Sequence, residues 1–395
     1  MNKIYLDNAS TTNVSNEVLN EMMPYFTSIY GNPHSVHSFG REANKALDLA
    51  RETIAHAIGA KPNEIYFTSG ATESNNWALK GIAERYQNSN KKHIITSQIE
   101  HPSILETCKY LESKGFKITY LPVDETGIVS LAELLHYLRN DTLMVSIMTA
   151  NNEIGTIQNL KAIAQTVREK GVIFHTDATQ AIGAINIDVK EVGIDMLTLS
   201  GHKINGPKGI GVLYIANNIE IDPLLHGGHQ ERELRAGTVN VAGAVGLGKA
   251  CEIACRDITI NSQKLRRMRD YFVEKVMQTI PYVKLNGHKF QRLPNSINLS
   301  FGMVEAEALM MMLDLEGIAV SVGSSCSAGS IEPSYVLQAL KLSPELIAGA
   351  IRITISKNIT MEDIDYVVEK MASVVEKLRA MSPLTSKKIG GFDNV

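Results

Sequence analysis

Cysteine is scarce in this sequence, charge of one sign is not in excess, and no apolar run is long enough to span a bilayer. Only four cysteines occur in 395 residues, Cys108, Cys251, Cys255 and Cys326. None has the CxxC spacing of a zinc knuckle or redox motif, so neither a disulfide framework nor a metal site organises the chain. No segment approaches the roughly 18 uninterrupted apolar residues of a spanning helix. The opening MNKIYLDNAS lacks the basic and apolar regions of a signal peptide, so the expected setting is the reducing cytoplasm, with no membrane contact. Lys plus Arg number 39 and Asp plus Glu 42, a formal charge of -3. That balance leaves no electrostatic footprint for direct DNA binding.

What is present is an ordinary globular composition, 44% hydrophobic and 21% charged, which excludes disorder and fibrous repeats. At roughly 150 residues per domain the length predicts two unequal domains or more. From about residue 40 to 215 short apolar runs alternate with helix-period segments in the manner of βα units. The strand candidates are residues 64–69, 92–97, 117–122, 143–148, 172–177, 195–200 and 210–215, with helices over 73–86, 103–114, 130–139 and 160–170. Near-continuous apolar strands belong to a mostly parallel sheet covered on both faces. An α/β architecture with its ligand at the carboxyl ends of the strands follows.

Beyond residue 238 a long helical stretch runs to about 279, followed by strands over 293–301 and 350–356. In the last helix Ile364, Val367, Val368, Met371, Val374, Val375 and Leu378 form one apolar stripe, which reads as core. The tail from Ser382 has little periodicity and is expected to be mobile. The domain expectation is a large unit over residues 15–260 and a smaller one from 1–14 and 261–395.

Several motifs carry chemistry. In FTSGATESNN the small residues Ser69, Gly70, Ala71 and Thr72 lie between a strand and a helix, where backbone N–H groups hold a phosphate. Asp177 ends the strand in FHTDATQAIG, with Gln180 close by; alone it reads equally well as a helix cap. Lys203 follows another strand in SGHKINGPKGIG, and a lysine held at an apolar strand end can act as a Schiff-base nucleophile. An acid for a pyridine nitrogen, a lysine for an aldehyde and a small-residue turn for a phosphate together describe a pyridoxal phosphate site. His101 and Asn152, ordinary residues in isolation, also follow strand ends.

The ten residues SVGSSCSAGS contain five serines and two glycines around Cys326, so a flexible loop with an exposed thiol is expected. Cys251 and Cys255, at i and i+4 on a helix, read as packing residues, as does Cys108.

In order along the chain, YLDNASTT, GNPHSVHSFG, FTSGATES, EHPS, NNEIGT, HTDATQAIG, SGHKINGPKGIG, GGHQERELRAGT and GSSCSAGSIEPSYVL resemble the motifs of the cysteine desulfurases of the nitrogen-fixation and iron-sulfur-assembly type. These are class-V aminotransferases of the pyridoxal 5'-phosphate fold type I, aspartate aminotransferase-like: a large, mixed, mostly parallel sheet flanked by helices plus a smaller α+β domain. The resemblance implies a homodimer that removes sulfur from L-cysteine, leaving L-alanine and a persulfide on Cys326 in a loop over about 321–332. It implies that sulfur passes to an iron-sulfur scaffold protein or another acceptor.

It also implies the site residues. Lys203 would hold the cofactor aldehyde, Asp177 the pyridine nitrogen, and Gln180 and Asn152 the ring oxygen, while His101 would stack on the ring and take a proton to assist the Cys326 thiolate. Ala71, Thr72, Ser200 and His202 would hold the phosphate, joined by Thr238 from the neighbouring subunit. Arg352, Asn32 and Asn152 would receive the substrate. No metal is implied. Ser10, His34, Ser325 and Ser327 depart from the usual residues, and His34 is expected to matter most, being near the carboxylate clamp. A selenocysteine lyase or an aminotransferase on the same fold is the alternative, and a non-enzymatic scaffold is the reading that Lys203 opposes.

Overall fold

The computed structural model describes residues 3–256, 258–323 and 333–382. Thirteen strands occur among the described residues. They are β1 (Ile4–Tyr5), β2 (Ile65–Thr68), β3 (His93–Ser97), β4 (Lys117–Leu121), β5 (Thr142–Ser146), β6 (Ile173–Asp177) and β7 (Met196–Ser200). The rest are β8 (Gly211–Ile215), β9 (Val283–Leu285), β10 (Ser296–Phe301), β11 (Ile318–Ala319), β12 (Ser321–Val322) and β13 (Ala350–Thr354).

Seven of them form one sheet in the order β2-β8-β7-β6-β5-β3-β4. All neighbours are parallel except at β8, which runs against both β2 and β7. Every residue of β2, β3, β5, β7 and β8 is buried, the consequence of helices on both faces. Helices Ala71–Arg85 and Pro102–Ser113 cover one face, where fully buried Trp77 donates its indole N–H to Asp222 O at 2.9 Å. Helices Ser38–Ala57, Leu160–Arg168 and Val241–Arg256 supply apolar residues to the other core. All seven strands expected between residues 64 and 215 are present, with ends shifted by one or two residues.

A second, antiparallel sheet has the order β12-β13-β10-β9. It packs against helices Ile258–Thr279, Ala306–Leu315 and Met361–Met381 around Phe272, Leu299, Phe301, Ile353 and Met371. The apolar stripe of the last helix is buried there, with Leu378 partly so. The helical stretch after residue 238 is two helices, Val241–Arg256 and Ile258–Thr279. Two-stranded β1-β11 joins the amino-terminal segment to this part, and Asp7 bridges to Thr354 of β13. The amino-terminal segment is thereby laid across the end of the large sheet.

Cys108 and Cys251 are buried and Cys255 is half-buried. Burial pushes the Cys108 thiol up to about 12 and raises Cys251 and Cys255 as well, as packing residues require. No group of metal-ligating residues, and no helix long and apolar enough to cross a membrane, occurs among the described residues.

Candidate active site

Strands β2, β3, β5, β6 and β7 all end on the same edge of the large sheet, because β8 alone is reversed. Gly211, which opens β8, is paired there with both Thr68 and Ser200. The turns that follow line one cavity of about 600 Å³. Ala71, Thr72, His101, Asn152, Asp177, Gln180, Ser200, His202 and Lys203 all lie on its wall, and Arg352 reaches it from β13. This is the switch-edge location expected for a ligand in an open α/β sheet.

Asp177 closes β6 and is 5% exposed. Its Oδ1 accepts the Thr179 N–H at 2.9 Å and its Oδ2 accepts Asn75 Nδ2 at 2.8 Å, so two donors fix the carboxylate's orientation. Asn75 Nδ2 also lies 2.9 Å from Ser103 Oγ, which is 2.8 Å from His101 Nδ1. His101 is the N-cap of helix Pro102–Ser113, its Nδ1 accepting the Ser103 N–H at 3.2 Å. With Nδ1 committed as an acceptor, the hydrogen-bond pattern assigns the ring proton to Nε2. Burial, reinforced by the charge of Lys203 and partly offset by Asp177, holds the His101 pKa below its usual value. The lowered pKa favours the neutral imidazole, with its hydrogen on Nε2.

Lys203 ends the 3-10 turn Gly201–Lys203 after β7. Its Nζ donates to Ala9 O at 2.6 Å and Ser10 O at 2.8 Å, and Gln180 Nε2 donates to Ala9 O at 3.0 Å. His202 contacts Thr11 Oγ1 through Nδ1 at 3.2 Å; burial and the charges of Lys203 and Lys208 push its pKa down to about 4, so it is neutral. The amino-terminal segment thus forms a wall of the cavity as well as a link between the sheets.

The small-residue turn opens helix Ala71–Arg85 with its N-terminus on the cavity. Gly70 has φ +153°, a backbone that favours glycine, although a Cβ there would meet nothing within 4 Å. One donor of the turn, Ser69 N–H, is taken by Glu73 Oε2 at 2.9 Å, and Glu73 is itself paired with Arg235 at 2.8 and 3.0 Å. The remaining N–H groups and the helix terminus favour an anion.

Arg352 is buried and held on several sides. Its Nη2 donates to Asp7 Oδ1 at 2.9 Å, Ser10 Oγ at 2.6 Å and Ser321 Oγ at 3.2 Å, and Nη1 to Asn152 O at 3.3 Å. Its Nε has no hydrogen-bond partner among the described residues, nor do Asn152 Oδ1 and Thr179 Oγ1. Buried polar atoms left over beside a cavity are what a polar ligand would satisfy. Pyridoxal phosphate fits this donor set: a helix N-terminus for the phosphate, an oriented carboxylate for the ring nitrogen, a lysine amine for the aldehyde, and side-chain amides for the ring oxygen.

Two expected site residues, Asn32 and Thr238, are off the cavity wall in this chain. Asn32 is exposed, its Oδ1 accepting the His34 N–H at 3.0 Å, and neither residue lines the cavity. Thr238 is exposed and also off the cavity wall. Cys326 and most of its loop lie outside the described residues, as does the tail after Ser382. Among the departures in sequence, His34 stands clear of the clamp within this chain, while Ser10 touches it: Ser10 Oγ bridges Arg352 Nη2 and Asp7 Oδ1, the latter at 2.8 Å. Asn75, Ser103, Asp7 and Thr179 were missed. Asp7 and Ser10 had a signal in YLDNAS, whereas Asn75 sat unremarked in the helix that follows the phosphate turn.

Comparison with known proteins agrees with this geometry. The aminotransferase class-V family matches residues 4–367. The chain is 51% identical over 386 residues to the cysteine desulfurase IscS of Methanosarcina thermophila, covering 98% of this chain and 95% of that one. It is 49% identical over 381 residues to the cysteine desulfurase IscS of Dictyoglomus turgidum, covering 96% of each. Among solved structures, a NifS-like protein superposes with a TM-score of 0.90 at 40% identity, covering 95% of this chain and 100% of that one. SspA in complex with cysteine superposes with a TM-score of 0.80 at 38% identity, covering 90% and 99%.

Proposed function

The chain belongs to the class-V aminotransferase family, and from that premise we propose that it is a pyridoxal 5'-phosphate-dependent cysteine desulfurase. It takes sulfur from L-cysteine, releases L-alanine and passes the sulfur to an acceptor. One observation carries the reading: Lys203, Asp177, Asn152 and the helix N-terminus at Ala71 and Thr72 converge with Arg352 on a single cavity. The chain's identity to named cysteine desulfurases over nearly its whole length selects the reaction within the family.

The cofactor, when bound, supplies an electron sink for the substrate's Cα. The chain's own groups do the rest. Ala71, Thr72, Ser200 and His202 would hold the phosphate, neutral His202 adding a hydrogen bond rather than a charge. Asp177 would hold the pyridine nitrogen, Gln180 and Asn152 the ring oxygen, and His101 would pack on the ring. Arg352, with Asn32 and Asn152, receives the cysteine carboxylate, a task suited to a bidentate guanidinium. Lys203 would hold the cofactor aldehyde, and its amine, when free, would move the proton at Cα. Cys326 Sγ, as thiolate, attacks the substrate sulfur: a sulfur–sulfur bond forms and the carbon–sulfur bond breaks. The electron pair of the broken bond stays with the carbon skeleton, which is protonated to alanine.

The proposal extends to assembly. The enzyme is a cytoplasmic homodimer in which Thr238 reaches the neighbouring subunit's phosphate; its exposure in this chain supports that role. Residues 15–260 form the large unit, and 1–14 with 261–395 the smaller one that carries Cys326 and Arg352; an apolar core around Phe272, Leu299 and Met371, drawn wholly from the second set, supports this division. The sulfur acceptor is an iron-sulfur scaffold protein or another acceptor protein.

The test is stoichiometric. Purified protein with cofactor and a reductant should convert L-cysteine to equal amounts of alanine and sulfide, and Cys326→Ala should lose both products while keeping the cofactor absorbance. Transamination of a keto acid that survives Cys326→Ala would make the protein an aminotransferase instead.

A further inference from the structure

The small-residue turn carries an anion of its own. Glu73 is the third residue of helix Ala71–Arg85 and lines the cavity beside Ala71 and Thr72, with its carboxylate folded back so that Oε2 accepts the Ser69 N–H at 2.9 Å. Burial opposes its ionisation, but hydrogen bonds from Arg235 and Ser69 outweigh burial and hold the carboxyl below its usual range. Glu73 is therefore charged at neutral pH. On the cofactor reading one helix N-terminus serves both this carboxylate and a phosphate, and like charges sharing a partly buried site repel.

Arg235 resolves the conflict. Its Nε donates to Glu73 Oε1 at 2.8 Å and its Nη2 to Oε2 at 3.0 Å, a fork of donors against both carboxylate oxygens. The pair is largely sheltered, with side chains 18% and 12% exposed. Arg235 arrives on a segment pinned to β2, the edge strand that leads into the turn. Glu231 of this segment accepts the Phe67 N–H at 2.8 Å. Arg232 donates to Ile65 O at 2.6 Å, and its guanidinium carbon lies 4.0 Å from the centre of the Tyr66 ring. Arg235 is not on the cavity wall, so it acts on the turn through Glu73.

We infer that Arg235 is a positioning residue for the phosphate turn: its forked pair with Glu73 keeps a carboxylate on the Ser69 N–H while cancelling that carboxylate's charge, and so lets the helix N-terminus accept a phosphate. The inference rests on the pyridoxal phosphate reading above. It makes the pair matter to the phosphate and not to the rest of the cofactor.

The experiment separates those two parts. The full-length chain, freed of cofactor, is titrated with pyridoxal phosphate and with pyridoxal, which lacks the phosphate, and absorbance follows binding of each. Wild type is compared with Arg235→Ala, Glu73→Gln and the double variant. Arg235→Ala is expected to raise the Kd for pyridoxal phosphate about 10- to 100-fold, the effect of one uncancelled charge at the site, and to leave that for pyridoxal within about twofold. In the double variant Glu73→Gln removes that charge while its amide oxygen still accepts the Ser69 N–H, and the Kd returns to within about threefold of wild type. Glu73→Gln alone leaves Arg235 as an extra cation and binds pyridoxal phosphate at least as tightly as wild type. A pair that only shapes the turn would weaken both ligands alike, and the double variant would be no better than Arg235→Ala. Either of those results, wild-type affinity in Arg235→Ala, or weaker pyridoxal phosphate binding by Glu73→Gln alone overturns the inference. Should Arg235→Ala fail to fold, Arg235→Gln, which keeps hydrogen-bond donors without the charge, is read by the same criteria. A wild-type protein that holds pyridoxal phosphate no more tightly than pyridoxal fails at the cofactor reading itself, a result distinct from any difference among variants.

Discussion

Asn75, on the helix after the small-residue turn, donates a hydrogen bond to Asp177 at the end of β6, Nδ2 to Oδ2 at 2.8 Å. The same nitrogen reaches Ser103, so the Asp177 carboxylate and the His101 ring are oriented through one amide. Removing it with Asn75→Ala should weaken cofactor binding about tenfold or more, the worth of a hydrogen bond to a charged group. Absorbance titration of the cofactor-free protein measures this, and an unchanged dissociation constant would assign Asn75 to packing alone.

Lys203→Ala should abolish covalent attachment of the cofactor and lower turnover by on the order of a thousandfold or more. Borohydride reduction followed by peptide mapping should place the cofactor on Lys203 in wild type and nowhere in the variant.

Arg352→Lys is not a conservative change at a site that needs a fork of donors. It should raise KM for cysteine by about tenfold or more while kcat changes less, because it removes binding shared by substrate and transition state. Steady-state kinetics distinguishes this from an equal fall in kcat, which would move Arg352 from binding to chemistry.

Glu100 is buried beside His101, and burial raises its carboxyl to about 8 despite hydrogen bonds from Ser97 and the Met148 N–H. In the unfolded chain it titrates near 4.5. Its folded pKa is raised, so the stability it contributes is fully present below the unfolded value and is lost as pH rises through the folded one. Glu100→Gln, which mimics the protonated form, should therefore gain stability relative to wild type steadily from about pH 4.5 to about pH 8 and no further. Denaturant unfolding at a series of pH values checks this; a constant difference across the range would contradict it.

Arg51 and Glu231 form a buried bidentate pair at 2.9 and 2.6 Å, and Glu231 also accepts the Phe67 N–H at 2.8 Å. Glu231 lies in a run with Arg232 and Glu233 that has positive φ at all three positions, a conformation costly to non-glycine residues. Glu231→Ala should cost about 3–5 kcal/mol by leaving the guanidinium buried without its counter-charge, read as a lowered midpoint in denaturant. A loss of less than about 1 kcal/mol would make the pair a solvent-like one.

The large sheet was legible because its strands are buried on both faces and read as nearly continuous apolar runs, as in β5 and β7. The cavity-wall residues Asp177 and Lys203 were legible for a related reason: a charged or polar residue at the end of such a run breaks the pattern. The short strands β1, β9, β11 and β12 carry no periodic signal, since two or three residues are held by partners far along the chain. Arg352 and Asp7 are 345 residues apart, so their pairing could not be seen in either motif. Asn75 was hidden because a polar residue inside a helix looks like solvent-facing surface. Ser10 was not singled out for its contact with Arg352, because nearness in a motif says nothing of which residue the fold turns toward the guanidinium.

The central claim is that sulfur leaves cysteine by way of Cys326. Intact-mass and peptide-mass analysis of the holoenzyme after a single turnover with L-cysteine tests it most directly. The account predicts a gain of one sulfur atom on the peptide containing Cys326, labile to reductant and matched by one alanine released per modified chain. Alanine formed at the wild-type rate with no added sulfur on that peptide would contradict it.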